Sequence, residues 1–457
     1  MAVLSATIEK TLDLLLEARK YASVKDILST LAAEDVAAIL EEMDGKDMAM
    51  VFRLLPKELA ADAFVELESG FQEQLIRDFS DAELVSVLDE LYVSETVDII
   101  EEMPANVVSR ILNHVDAQTR ASINQLLQYP EHSAGSIMTT EYVYLRPGMT
   151  VREAIERIRR YGSDSKAFYT CYVTENHRLI GRLSVKDLLL AKDEDSPIDP
   201  LIKTNVVFVS THTDKEEVAT LLKKYNFMAI PVVDSDERMV GIISFDDAID
   251  VMEDEATEDM EIMAGMTPSD RTYLHESPLN LFRHRIGWLL FLMVSATFTG
   301  LIITRFEAAL SSLVVLTAFI PMLMDTGGNC GSQSSVIIIR AIALGEVRFR
   351  DFFKVLFKEL LTALLCGAVL AAVCFAKLML FDRIALGNAA VTGTVALTVC
   401  LTMTVTVVVA KSVGCTLPLI ARRCGFDPAV MASPLITTIA DALSLIVYFS
   451  VASVLLF

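Results

Sequence analysis

Read as apolar and polar positions alone, the chain changes rhythm three times. Through the first part apolar residues return every 12 positions, at Met43, Leu55, Leu67, Phe79, Leu91, Met103 and Val115. Four residues before each stand Ile39, Val51, Ala63, Leu75, Val87, Ile99 and Ile111, and beside those Leu40, Phe52, Phe64, Ile76, Leu88, Ile100 and Leu112. Apolar residues at i, i+1 and i+4 form one face of a short helix, and Pro56, Ser80, Pro104 and Asp116 mark the turns. One such helix cannot bury its face, but a stack can, so residues 1–130 are expected to form an all-α helical-repeat domain. Residues 131–252 then read as a tandem α/β repeat, about 138–200 and 201–252. YVYLRPGMTVREAIERIRRY with FYTCYVTENHRLIGRLSVKDLLLAK aligns with VVFVSTHTDKEEVATLLKKY and FMAIPVVDSDERMVGIISFDDAIDVM. Each half predicts strand, helix, strand, turn, strand, helix. Gly181 and Gly241 match at the opening of the third strand, and Thr150 and Thr213 are the expected N-caps before Glu153 and Glu216.

The third rhythm begins with a helix at 253–280 that continues FDDAIDVMEDEATEDMEIMAGM. Ile249, Met252, Ala256, Met260 and Met263 form its expected apolar stripe, and acids cover most of the rest. Such a helix is either a solvated face or one bridged by cations. Its oxygen-only donors suit Mg²⁺ or Ca²⁺. Residues 281–457 carry five apolar runs, about 286–304, 313–342, 355–380, 389–412 and 433–457, each long enough to cross a bilayer. The second is expected to be broken by PMLMDTGGNCGSQSS.

Composition sharpens the division. Hydrophobic residues make up 53% of the chain, yet the formal charge is −22. From Leu281 on stand 13 Lys+Arg and 8 Asp+Glu, leaving 26 of the 39 basic and 53 of the 61 acidic residues before it. An acidic half excludes nucleic acid as a partner and favours cations. Six of the seven cysteines lie in the apolar half without CxxC spacing, so neither a disulfide framework nor a zinc site is indicated. The charged helix MAVLSATIEKTLDLLLEARK does not read as a signal peptide. Basic residues beside alternate span ends (Arg283 and Arg285; Arg348, Arg350, Lys354 and Lys358; Arg422 and Arg423) put the N-terminal half in the cytosol and the C-terminus outside the plasma membrane. Nothing resembling HExxH, GxSxG or a P-loop occurs, so a membrane enzyme controlled by nucleotide is the weakest of the readings.

The candidate chemistry centres on Asp441, inside the last run, with Thr437, Thr438 and Ser444 on the same helical face. A carboxylate there costs about 2.5–3.5 kcal/mol on insertion scales and faces a bundle interior or a water path. It is either paired with a basic residue of another span or lines a cation path. The basic residues within apolar runs, Arg340, Lys377 and Lys411, all read as lying near run ends, which favours the path. Asn329 and Thr437 are further candidates for the pore lining, and Asp427 stands at its cytosolic mouth.

The tandem repeat resembles a pair of CBS domains, regulatory modules that in their family bind adenine nucleotides, metal ions or a second copy. DTGGNCGSQSS, followed by DPAVMASPLITTIADALSLIVYF, looks like the MgtE family of magnesium channels or transporters. The order of helical domain, CBS pair, acidic helix and five spans matches over essentially the whole chain. The resemblance implies a homodimer in membrane lipid with the pore between protomers, formed by spans two and five. Asp441 falls on the family's cation-selecting residue. It implies cytosolic Mg²⁺ sensing by Asp214, Glu216, Asp247, Asp250, Glu255, Glu258, Asp259 and Asp427, with the connecting helix as plug and ATP open as a ligand of the CBS pair. Asn226 is neutral where some relatives carry an acid, and Asp325 is acidic where some are apolar. A transporter of another divalent cation, such as Co²⁺ or Zn²⁺, is the alternative, disfavoured by the lack of His or Cys beside Asp441.

Overall fold

The 12-residue rhythm is a rhythm of helix starts. In the computed structural model, which describes residues 2–162, 165–269, 273, 276–307, 311, 313–431 and 433–456, the first helix, α1 (Ala2–Glu17), is followed by nine short ones. They are α2 (Tyr21–Leu28), α3 (Ala33–Glu41), α4 (Gly45–Phe52), α5 (Lys57–Val65), α6 (Ser69–Asp78), α7 (Asp81–Leu88), α8 (Val93–Glu102), α9 (Ala105–His114) and α10 (Ala117–Leu126). Their N-caps are Lys20, Ala32, Asp44, Pro56, Glu68, Ser80, Tyr92, Pro104 and Asp116, spaced by 12 throughout. Ser80 accepts from Glu83 N, and Asp116 from Gln118 N and Thr119 N, satisfying donors that a helix start leaves open. Alternate helices pack on one another, α3 on α5, α5 on α7 and α7 on α9, with α4 on α6 beside them. This is how one apolar face per repeat becomes a continuous core: Ile39, Val51, Ala63, Leu75, Ile99 and Ile111 are all buried.

Two three-stranded sheets follow. β1 (Tyr142–Leu145) runs parallel to β2 (Ala167–Glu175), which pairs antiparallel with β3 (Arg178–Ser184). In the second repeat β4 (Val209–Ser210) runs parallel to β5 (Ala229–Val233), which pairs antiparallel with β6 (Met239–Ser244). Helices α11 (Val151–Tyr161) and α12 (Val185–Leu189) serve the first sheet, and α13 (Lys215–Tyr225) and α14 (Phe245–Met263) the second. Gly181 and Gly241 sit within the third strands rather than at their openings, opposite Val173 and Val232. A Cβ on Gly241 would stand 2.7 Å from the Thr139 carbonyl, so this strand must be bare where the linker crosses it. Thr150 closes the expected capping box with Glu153. In the second repeat the N-cap is Asp214, not Thr213, because Thr213 Oγ1 instead accepts from Ser210 N. The core of the second repeat is continuous with that of the helical domain, whereas the first repeat has its own around Val143, Leu145, Cys171 and Leu183.

The chain divides into two compact units, Met1–Glu253 and Asp254–Phe457. The second holds five long helices: α15 (Pro278–Arg305), α16 (Ile320–Ala343), α17 (Phe352–Ala376), α18 (Gly393–Cys424) and α19 (Ser433–Leu455). Four are long and apolar enough to cross a membrane by composition alone; α16 falls short because of its polar residues. The single helix expected over 253–280 is corrected: α14 ends at Met263, residues 266–269 are not helical and α15 opens at Pro278, while residues 270–272, 274 and 275 lie outside the described residues.

Two further expectations about this unit are corrected. The second span is not broken: α16 runs unbroken through the glycine-rich string, because its neighbours press on the glycines rather than interrupting them. A Cβ on Gly327 would lie 2.5 Å from Ser444 Oγ, and one on Gly328 2.9 Å from Thr437 Cγ2. Small residues let helix backbones approach where no water drives association. The fourth span does not stop at 412. Helix α18 continues to Cys424 through Pro418 and ends at Gly425, whose φ is 82°. Lys411 therefore stands deep in the helix, about 20 Å from its Cys424 end, and not near a span terminus.

Candidate cation path and acidic clusters

Helix α16 packs against α18 and α19, and its buried side carries Gly327, Gly328, Gly331, Ser334 and Ser335. The opposite side exposes Asp325, Asn329 and Gln333, at i, i+4 and i+8. A polar stripe on a membrane helix faces water or protein, since hydrocarbon offers no hydrogen bonds. Asp441 and Thr437 lie half-buried on α19. Thr437 Oγ1 is 3.4 Å from Ser332 Oγ of α16, and Asp325 lies near enough to Asp441 for their charges to interact. Thr437, Asp441 and Asp325 thus share one region, with Asn329 one turn from Asp325 on the exposed side of α16.

The alternative role for Asp441, an ion pair, requires a basic partner. Among the described residues Lys411 is the buried cation of the bundle, and its Nζ lies 3.8 Å from Glu359 Oε2 and donates to Ser334 Oγ at 3.1 Å. Among the described residues no ion pair reaches Asp441.

The sensor acids fall into two groups. At the membrane unit, Asp259 is crowded by Asp427, Glu255 and Glu258. Burial first, and then these three acids, push its carboxyl from 3.8 up to about 6. Asp427 Oδ1 accepts from Ala429 N at 2.8 Å and so opens the turn Pro428–Met431. The end of α14 is fixed nearby, with Ile262 and Met263 packing on Ile339 and Ala429. The expected apolar stripe of α14 is corrected: Ala248 and Val251 are the buried positions, while Ile249, Met252, Ala256 and Met260 are exposed.

In the first unit, Asp247 Oδ1 pairs with Lys166 Nζ at 2.6 Å, and its Oδ2 accepts from Ser244 N and Oγ. Lys166 also acts on Glu95 and Asp98, and on Glu141. Asp98 keeps surface accessible to solvent, yet enough protein surrounds it that desolvation pushes its carboxyl up to about 7, with Lys166 opposing. Asp250 adds its charge to Glu66, which burial already holds above the ordinary value. Asp214 Oδ1 accepts from Glu216 N at 2.9 Å, and Glu216 is half-buried beside it. Asn226 caps α13 in the left-handed region with φ 51°, a conformation that a short polar side chain tolerates. Sequence reasoning missed Glu95, Glu141 and Lys166. No local signal marked them: Glu95 accepts from Tyr92 N at its helix start, and Lys166 comes from the segment just before β2, far away in sequence. Among the described residues no three His, Cys, Asp or Glu side chains converge closely enough to ligate a metal directly.

This arrangement is that of a membrane protein with polar and acidic residues within its apolar helices and a strongly acidic half before them. Comparison agrees in class and in order. The profile described as divalent cation transporter, MgtE, matches residues 320–451; the MgtE intracellular N domain matches 6–132, and CBS domains match 134–194 and 198–254. The magnesium transporter MgtE of Thermus thermophilus is 35% identical over 439 residues, covering 95% of each chain. That of Bacillus subtilis is 31% identical over 441 residues, covering 96% of this chain and 95% of its own. Among solved structures, the cytosolic domain of the Mg²⁺ channel MgtE in complex with ATP is 34% identical, with a TM-score of 0.51, covering 53% of this chain and 99% of its own. The soluble part of a magnesium transporter is 26% identical, with a TM-score of 0.52, covering 55% and 99%. The chain belongs to the MgtE family.

Proposed function

We propose that this chain is a multi-pass membrane transporter of Mg²⁺ in which Asp441 selects the cation and the acidic half acts as a valve. One observation carries the reading: Asp441, without an ion-pair partner among the described residues, lies beside an exposed polar stripe on α16. Mg²⁺ dehydrates reluctantly and keeps its waters. A ring of Asp441 carboxylates, one from each of two protomers, with Asn329 and Thr437, attracts the hydrated ion without stripping it. The exposed stripe of α16 and the exposed apolar row of α14 support a homodimer, since both are costly faces for a lone protomer. The intracellular N domain of the family supports a cytosolic N-terminal half, and five crossings then leave the C-terminus outside. The relative crystallised with ATP supports adenine nucleotide as a ligand of the CBS pair.

Gating follows from linkage. Without Mg²⁺ the acids around Asp259 repel; with it, ions bridge them and closure is favoured. One site at tenfold its dissociation constant contributes about 1.4 kcal/mol. A shift from 1:99 to 99:1 needs about 5.5 kcal/mol. About four weak sites per dimer therefore suffice, and Asp214, Glu216, Asp247, Asp250, Glu255, Glu258, Asp259 and Asp427 supply them. Mg²⁺, Co²⁺ and Zn²⁺ influx into proteoliposomes tests the cargo: Mg²⁺ influx is expected, and influx of Co²⁺ or Zn²⁺ alone sinks the reading.

A further inference from the structure

Behind the polar stripe of α16, on its buried side, lies a charged pair that the transport reading does not use. Ser334 of α16 is fully buried, and its Oγ donates to Glu359 Oε2 of α17 at 2.7 Å. Lys411 of α18 donates to the same Oγ at 3.1 Å and lies 3.8 Å from that carboxylate. The side chains of Lys411 and Glu359 are 6% and 13% exposed. Among the described residues Glu359 is the acid paired with Lys411. The turn that carries Lys411 rests directly on α16: a Cβ on Gly414 would stand 2.3 Å from the Gly331 carbonyl, and one on Gly331 would stand 3.3 Å from the Ala410 carbonyl. The ammonium is thus held against one side of the helix whose other side exposes Asp325, Asn329 and Gln333.

We propose that Glu359 is a positioning residue for transport that cancels the charge of Lys411, so that a divalent cation passing along α16 meets an electrically neutral wall. The inference rests on the path proposed along α16 and α19. Packed helices lie about 8–10 Å apart, and over that distance in a bundle the field of a bare ammonium is poorly screened, while its repulsion of a doubly charged ion is twice that of a singly charged one. Paired with Glu359, the same ammonium presents only a dipole. The hydrogen bonds through Ser334 orient the pair but are dispensable to this role.

The test is Mg²⁺ influx into proteoliposomes containing the full chain, normalised to protein that elutes as a single species in detergent. Glu359→Gln strands the lysine and is expected to lower influx by about tenfold or more. Adding Lys411→Met to it removes the stranded charge and is expected to restore influx to within about threefold of wild type, although every hydrogen bond of the triad is then altered. Ser334→Ala, which keeps both charges, is expected to stay within the same range. A clamp made of hydrogen bonds would behave oppositely: Ser334→Ala would match Glu359→Gln and the double variant would gain nothing, and that result overturns the proposal. Should Glu359→Gln not elute as a folded species, the double variant decides, because a tenfold loss there contradicts charge cancellation. Wild-type influx that needs Asp441 but is unchanged in Glu359→Gln removes this inference and leaves the path intact. Influx independent of Asp441 removes the path, and the inference with it.

Discussion

Two acidic clusters in this chain are solved in opposite ways. Around Asp247 the protein supplies its own cation: Lys166 lies 2.6 Å from the carboxylate and also acts on Glu95, Asp98 and Glu141. Around Asp259 the neighbouring charges that act on the carboxyl, Asp427, Glu255 and Glu258, are all acidic. A tethered ammonium is present at every Mg²⁺ concentration, whereas acids that crowd one another are relieved by a cation or a proton from solution. The comparison teaches that acid count alone does not locate a sensor. On the proposed gating, the cluster in which acids crowd a half-buried carboxyl is the one whose state follows the ion.

The largest effect expected from this contrast is at the membrane-side cluster. Changing Glu255, Glu258, Asp259 and Asp427 together to their amides should raise the internal Mg²⁺ needed to halve influx by about tenfold or more, since each lost site removes about 1 kcal/mol of linkage. An unchanged midpoint in the flux assay would break the comparison. Next in size, Lys166→Met should lower the thermal midpoint of the protein in the absence of Mg²⁺. It should also enlarge the rise that Mg²⁺ produces, because a solution cation then replaces the tethered one, worth about 1.4 kcal/mol at tenfold its dissociation constant. Equal Mg²⁺-induced shifts in variant and wild type, measured by differential scanning, would show that Lys166 does not occupy the site. Gly328→Val should cost about 1–3 kcal/mol through overpacking against Thr437 and lower the yield of folded protein, with no change in the Mg²⁺ midpoint of what survives.

The smallest effect is a proton effect. The carboxyl of Asp259 sits at about 6 in the folded chain, above its ordinary 3.8. A raised value means that the compact state binds this proton more tightly than the loosened state. Its contribution is complete below about pH 4 and is lost as pH rises through about 6. Lowering the pH from 7 to 5 without Mg²⁺ should therefore favour the compact state and slow proteolysis near α14, and Asp259→Asn should flatten that dependence. Protection that rises with pH would have the wrong sign.

The fold was readable where one rule repeats. A period of 12 fixes both face and turn, so Ile39, Val51 and Ala63 are buried where periodicity puts them. The strand and helix order of both sheets follows from alternation. The errors fall where tertiary packing overrides local preference. Gly327 and Gly328 read as breaks because glycine weakens an isolated helix, yet here they admit Ser444 and Thr437. Lys411 read as a span end because a buried lysine is costly, and the partners that offset this cost, Glu359 and Ser334, lie on other helices. Asp441 was legible as chemistry because nothing local explains a carboxylate there. Lys166 was not, because its pairing with Asp247 joins positions 81 residues apart.

The most direct test of the central claim is Mg²⁺ influx into proteoliposomes, wild type beside Asp441→Ala, with Mg²⁺ varied on the face that carries the N-terminal half. The account predicts wild-type influx that shuts off as internal Mg²⁺ enters the millimolar range of weak carboxylate sites, and a loss of influx in Asp441→Ala at every internal concentration. Equal influx through both proteins would contradict it.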